Sequence, residues 1–238
     1  MKKFIFIPLV ATLIAMVSCK ELETVLDTVG GSGELTTTEI VSGLKSALEV
    51  GTKSSVDILS KPGGFLNDAS VMIPFPDEAQ RASDKLRQIG AGNLVDKFVN
   101  TMNEGAEKAV VKAVPIFVNA IKSMSIADAK GILFSDNKRA ATDYFKSKTS
   151  SSLTTAFRPD IDQSLEQVNA TKYWTDVTGT YNKIPFVKPV NTDLTGYVTD
   201  KALEGLFKKV ALEEAAIREN PAKRVTEILK KVFAKQDS

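Results

Sequence analysis

The chain contains no histidine at any of its 238 positions. That absence removes Ser-His-Asp triads, Cys-His pairs and histidine-containing zinc sites from consideration. Cysteine is nearly as scarce, with Cys19 as the single thiol, so no intrachain disulfide can staple the fold. Long apolar runs are also missing. The longest, Phe4 to Val17, covers fourteen residues, short of the roughly twenty a membrane-spanning helix needs. The charge balance is equally bare, since 31 basic residues face 29 acidic ones. A chain this close to neutral carries no global field to gather nucleic acid. Stability therefore rests on packing, and a domain of about 200 residues can bury roughly 70% of its unfolded surface.

What is present begins at the N-terminus. Lys2 and Lys3 precede the apolar run, which has the length of a signal-peptide core. It ends Ala15-Met16-Val17-Ser18-Cys19, which resembles the lipobox of bacterial lipoproteins, with Met16 where leucine is usual. The expectation is a signal peptide over 1–18, cleavage before Cys19 and acylation of that cysteine by palmitate-type chains. Removing 1–18 takes away two lysines and no acid, which leaves 29 charges of each sign. Lys20 lacks the aspartate of inner-membrane retention signals and points to the outer membrane, facing the periplasm or the cell surface. Residues 19–36, with Gly30-Gly31-Ser32-Gly33, read as a tether of root-mean-square span about 23 Å.

From residue 37 to 238 the pattern is helical throughout and predicts an all-α, single multi-helix domain. Thr36 and Glu39 form a capping box. A stripe through Ile40, Leu44, Leu48, Gly51 and Ser55 follows, where the two small residues mark a close helix approach. Asp77 to Ile89 predicts a second helix closed by Gly90. A third runs from Leu94 to Val114, to be kinked or interrupted by Pro115, and Ser125 caps a short one. A helix from Asn137 to Phe157 is expected to restart at Arg158-Pro159, with Asp160 and Asp162 as first-turn acids. Val198 to Ile217 marks a long helix, and Pro221 begins a last one through Val225, Ile228, Leu229 and Val232. Val71 to Pro76 must be extended, and 71–76 with 184–188 are candidates for a minimal two-stranded pairing.

Several segments carry a family resemblance. Val41-Ser42-Gly43-Leu44-Lys45-Ser46-Ala47-Leu48, Asp128-Ala129-Lys130-Gly131-Ile132-Leu133 and Ala141-Thr142-Asp143-Tyr144-Phe145 are three of them. The run Tyr197 to Phe207 and the tail Ile217-Arg218-Glu219-Asn220-Pro221-Ala222 with Leu229 to Phe233 complete the set. Together they resemble the bacterial family called domain of unknown function 4197, over nearly all of 38–233. The resemblance implies an envelope-directed helical protein and brings no catalytic residues with it.

Few polar groups stand out as site candidates. Glu213 falls on the Leu206–Val210–Ile217 stripe, where an apolar residue is expected, and Glu214 stands four residues before Arg218. A carboxylate on a core-facing stripe needs a partner or a proton, and Lys130, Arg158 and Lys201 are the candidate cations. Tyr173, Trp174 and Tyr181 form either an aromatic ligand slot or a core cluster with polar tips. Ser42-x-x-Lys45, Ser135-Asp136-Asn137 and Lys148-Thr149-Ser150 occur in the order of the penicillin-binding-protein motifs, but the third falls inside a predicted helix rather than on a strand. No metal, cofactor or nucleic-acid partner is expected.

The function expected is therefore a non-catalytic envelope lipoprotein that meets the membrane through its lipid and binds an envelope protein or polymer. Two alternatives stay open: a carrier holding a lipid-like ligand in an inter-helical apolar cavity, and a histidine-free enzyme using carboxylates.

Overall fold

The computed structural model describes residues 36–183, 185–186, 189–224 and 230. The signal segment, Cys19, the tether and the expected positions Val225, Ile228, Leu229 and Val232 of a last helix lie outside the described residues. Within them the chain is all-α, with eight helices and no strand. In order they are α1 (Thr37–Leu59), α2 (Gln80–Gln88), α3 (Gly92–Val110), α4 (Ala113–Ser123), α5 (Ile126–Leu133), α6 (Ala140–Glu166), α7 (Ala170–Tyr181) and α8 (Leu194–Glu219). Single 3-10 turns stand at Asp77–Ala79 and Pro221–Lys223. No described helix is long and apolar enough to cross a membrane.

Local chemistry starts two of these helices. At α1 the Glu39 amide donates to Thr36 Oγ1 at 3.2 Å while the Thr36 amide donates to Glu39 Oε2 at 2.9 Å. At α5 Ser125 and Asp128 form the same reciprocal pair, at 3.0 and 3.1 Å. Each box satisfies two amides that a helix start otherwise leaves open.

Helix α6 runs through the middle of the molecule. It is antiparallel to α3, with Gly105 set against Ile161 and Ser164 and Lys112 bonded to Asp160 at 2.7 Å. It is antiparallel to α8 as well: Thr195 donates to Asp162 at 2.7 Å near one end, and Glu214 meets Ala141 at the other. Helix α1 crosses α8 at Gly51, where an added Cβ would lie 3.4 Å from Ile217 Cδ1 and 3.6 Å from Glu213 Cβ. This is the close approach its small-residue stripe predicts. The core between these helices is built on large aromatic side chains. Phe65, Phe117, Phe145 and Phe157 have no exposed surface, and the Phe117 and Phe145 rings lie 5.1 Å apart.

Three expectations are corrected. Helix α6 does not restart at Arg158-Pro159 but continues through Pro159. Proline in a helix interior costs about 3 kcal/mol. Here its neighbours Phe157 and Ile161 are fully buried, while the carbonyl it leaves unpaired belongs to Thr155, an exposed residue open to water. Asp160 and Asp162 are consequently mid-helix groups bonded to Lys112 and Thr195, not first-turn acids.

The second correction is of a boundary alone: Pro115 interrupts the helix as expected, at Val111 and Lys112 between α3 and α4, which places Val114 in α4. The proline ring conflicts with the carbonyl four residues earlier, that of Val111, and the helix ends there. Pro115 itself sits in the first turn of α4, where its missing N–H leaves no helical bond unmade.

The third is the two-stranded pairing of 71–76 with 184–188, which does not form among the described residues. The Ile73 amide donates to Asn103 Oδ1 at 2.9 Å, and Asn103 Nδ2 donates to Ile73 O at 2.9 Å. A side-chain amide on α3, with no exposed surface, thus supplies the donor and acceptor of a neighbouring strand. Glu107, one turn further on, accepts from the Phe65 amide at 3.1 Å. Pro185 and Phe186 lie in a turn, with Phe186 exposed and at φ 67°.

Candidate functional site

The sequence draws attention to the end of α8, and the structure finds a dense polar cluster there. Its centre is Glu214, 8% exposed. Oε1 accepts from the Ala141 amide at 3.0 Å and from Arg218 Nε and Nη2 at 3.1 and 2.9 Å. Oε2 accepts from the Thr142 amide at 2.9 Å and the Thr142 hydroxyl at 2.7 Å. Arg218 Nη2 also donates to Ile132 O at 3.1 Å, at the end of α5. Buried Arg224 donates to Ile217 O at 3.2 Å and Arg218 O at 2.9 Å, closing the C-terminus of α8. Arg139 offers α6 no side-chain cap, so Glu214 supplies it from another helix, where a negative charge also suits the helix dipole. Five donors occupy the two oxygens, so the carboxylate is a joint between α5, α6 and α8 with no face left for a ligand.

The other sequence candidates disperse. Glu213, read as the core-facing carboxylate, is only half-buried beside Gly51, and the buried one is its neighbour Glu214. Helix α8 is covered on two sides, by α1 and by α6. A second stripe, Leu203–Phe207–Val210–Glu214, therefore faces inward at spacings of four, three and four. That spacing was the available signal. The Glu214–Arg218 pair is correspondingly buried, with side chains 6% and 11% exposed.

Of the candidate cations, Lys130 is exposed on α5, Lys201 pairs with Glu204 at 2.8 Å and Arg158 grips Asp193. Arg158 donates twice to Asp193, at 3.0 and 3.2 Å, which holds that carboxyl below its ordinary range while it caps α8 through the Gly196 amide. Lys148-Thr149-Ser150 lies inside α6, where Thr149 and Ser150 turn their hydroxyls onto the carbonyls of Phe145 and Lys146. Among the described residues no group of three or more histidine, cysteine, aspartate or glutamate side chains is placed to hold a metal ion.

A concave, mostly apolar surface lies at the opposite pole, where α6 ends and α8 begins. A groove of about 340 Å³ is lined by Phe75, Leu86, Leu94, Phe98, Tyr173 and Trp174 among others. Its aromatic floor is a triad: Phe75 lies 5.1 Å from Phe98 and 6.1 Å from Trp174, and Phe98 lies 6.2 Å from Trp174. Trp174 Nε1 donates to Asn191 O at 2.9 Å, which fixes the indole and spends its one polar atom away from the groove. Leu94 (58% exposed) and Tyr173 (62% exposed) stand open at the rim. Among the described lining residues Lys97 alone is charged.

The two sequence readings of the aromatic pair are thus divided between adjacent residues. Trp174 is packed with Phe75 and Phe98, while Tyr173 borders open space; the Tyr181 side chain lies outside the described residues. Sequence reasoning missed Phe75, Leu86, Leu94, Lys97 and Phe98, because Leu94 and Phe98 belong to a helical stripe that reads as ordinary core.

No curated protein and no solved structure matches the chain. A family model does, over residues 34–234. That span takes in every described helix, the Glu214 joint and the groove, and the chain belongs to the family described as protein of unknown function, DUF4197.

Proposed function

We propose that this protein is a non-catalytic, lipid-anchored component of the bacterial cell envelope that binds an apolar ligand in the Phe75–Phe98–Trp174 groove. One observation carries the reading: the groove offers a concave, aromatic-walled surface of the size ligands occupy, while the buried carboxylates Glu107 and Glu214 are bonded to the fold's own amides. Sites for small molecules are mostly apolar clefts of about 300–1,000 Å³ with few polar groups. The anchor follows from the lipobox-like run ending at Cys19.

Two measurements test this. Cys19→Ser loses incorporation of labelled fatty acid, and equal labelling of variant and wild type overturns the anchor. A neutral solvatochromic dye binds the full-length chain at one saturable site and accepts energy from Trp174, the chain's single tryptophan. Leu94→Glu weakens the dye at least about tenfold, because binding then buries an unpaired carboxylate. An unchanged affinity in Leu94→Glu removes the groove from the reading.

A further inference from the structure

The groove also constrains what enters it. Its walls are carbon, and the Trp174 N–H is already spent on Asn191. Lys97 is exposed at its edge and, among the described residues, its ammonium makes no hydrogen bond or ion pair. The neighbouring cation Arg87 is instead held by Asp96 at 2.6 Å. A free ammonium beside an apolar slot matches a ligand with an apolar body and one negative end. At about 340 Å³ the slot suits one narrow chain better than a partner helix about 10–12 Å across.

We infer that the groove binds a single-chain fatty carboxylate, with its hydrocarbon against Phe75, Phe98 and Trp174 and its head paired with Lys97. This rests on the groove being the working surface and adds the ligand's chemistry. Bromine quenches tryptophan on contact, so a dibrominated stearate titrated into the full-length chain reports directly on Trp174. The expected result is saturable quenching by the carboxylate. Lys97→Gln raises its apparent Kd about two- to fivefold, the range of an exposed ion pair, and leaves the matching brominated alcohol unchanged.

Four results overturn the inference. The first is no saturable quenching. In the second, acid and alcohol bind alike in wild type and are equally indifferent to Lys97→Gln. The third is quenching only by vesicles of brominated phosphatidylcholine, which assigns the surface to a bilayer. The fourth is a dimer that forms with concentration and is lost in Leu94→Glu, which assigns the groove to a second copy. If the neutral dye binds while the carboxylate does not, the ligand class alone is wrong; if neither binds, the groove reading falls as well.

Discussion

Glu214→Ala lowers the stability of the fold by about 3–5 kcal/mol in denaturant unfolding, the range for removing one partner of a buried ion pair. The loss has two parts. Arg218, 11% exposed, keeps its charge and only the Ile132 carbonyl as partner. The Ala141 and Thr142 amides and the Thr142 hydroxyl lose their acceptor at the start of α6. Glu214→Gln retains an oxygen for the cap but not the charge, and falls between alanine and wild type. Glu213→Ala, at a half-buried neighbour, costs less than either. A Glu214→Ala loss under about 1 kcal/mol is what an exposed i,i+4 pair gives, and it would contradict the buried joint.

Asn103→Ala costs about 3 kcal/mol, because it strands both the amide and the carbonyl of Ile73 in the core. Each unsatisfied buried group costs about 1–3 kcal/mol, and the Val99 carbonyl loses a bond as well. Asn103→Asp is no rescue, since a carboxylate accepts from the Ile73 amide but donates nothing to the two carbonyls. Hydrogen exchange gives a local readout: the Ile73 amide is protected in wild type and exchanges far faster in Asn103→Ala. Unchanged protection would show that the extended piece is held by something other than Asn103.

What the sequence made visible was local. Thr36 with Glu39 acts within three residues, and Ser125 sits directly before the helix it caps, so local spacing reveals both. Gly51 was readable because a small residue on an apolar stripe has few explanations besides close approach. Pro159 was misread because its cost is local while the burial of Phe157 and Ile161 is tertiary. The groove was hidden for a related reason. Its walls come from residues 75, 86, 94–98 and 168–174, and each stretch alone looks like a helix face or a loop. Only the adjacent Tyr173 and Trp174 hinted at it, and nothing in their own neighbourhood tells floor from rim. Glu214 lies 72 residues from the Thr142 amide it caps, a separation at which a helical wheel carries no information.

That separation has a kinetic side. α1 and α5 bring their start signals with them and have a local nucleus as soon as they are made. α6, the longest described helix at 27 residues, does not. Its first amides wait for a side chain that is synthesised only after α7 and most of α8. A chain emerging N-terminus first therefore leaves the Ala141 and Thr142 amides without this acceptor until residue 214 is free, and the non-local contact that supplies it carries a loop-closure cost. The cap that opens the central helix is thus a late event, while those of α1 and α5 are local and early.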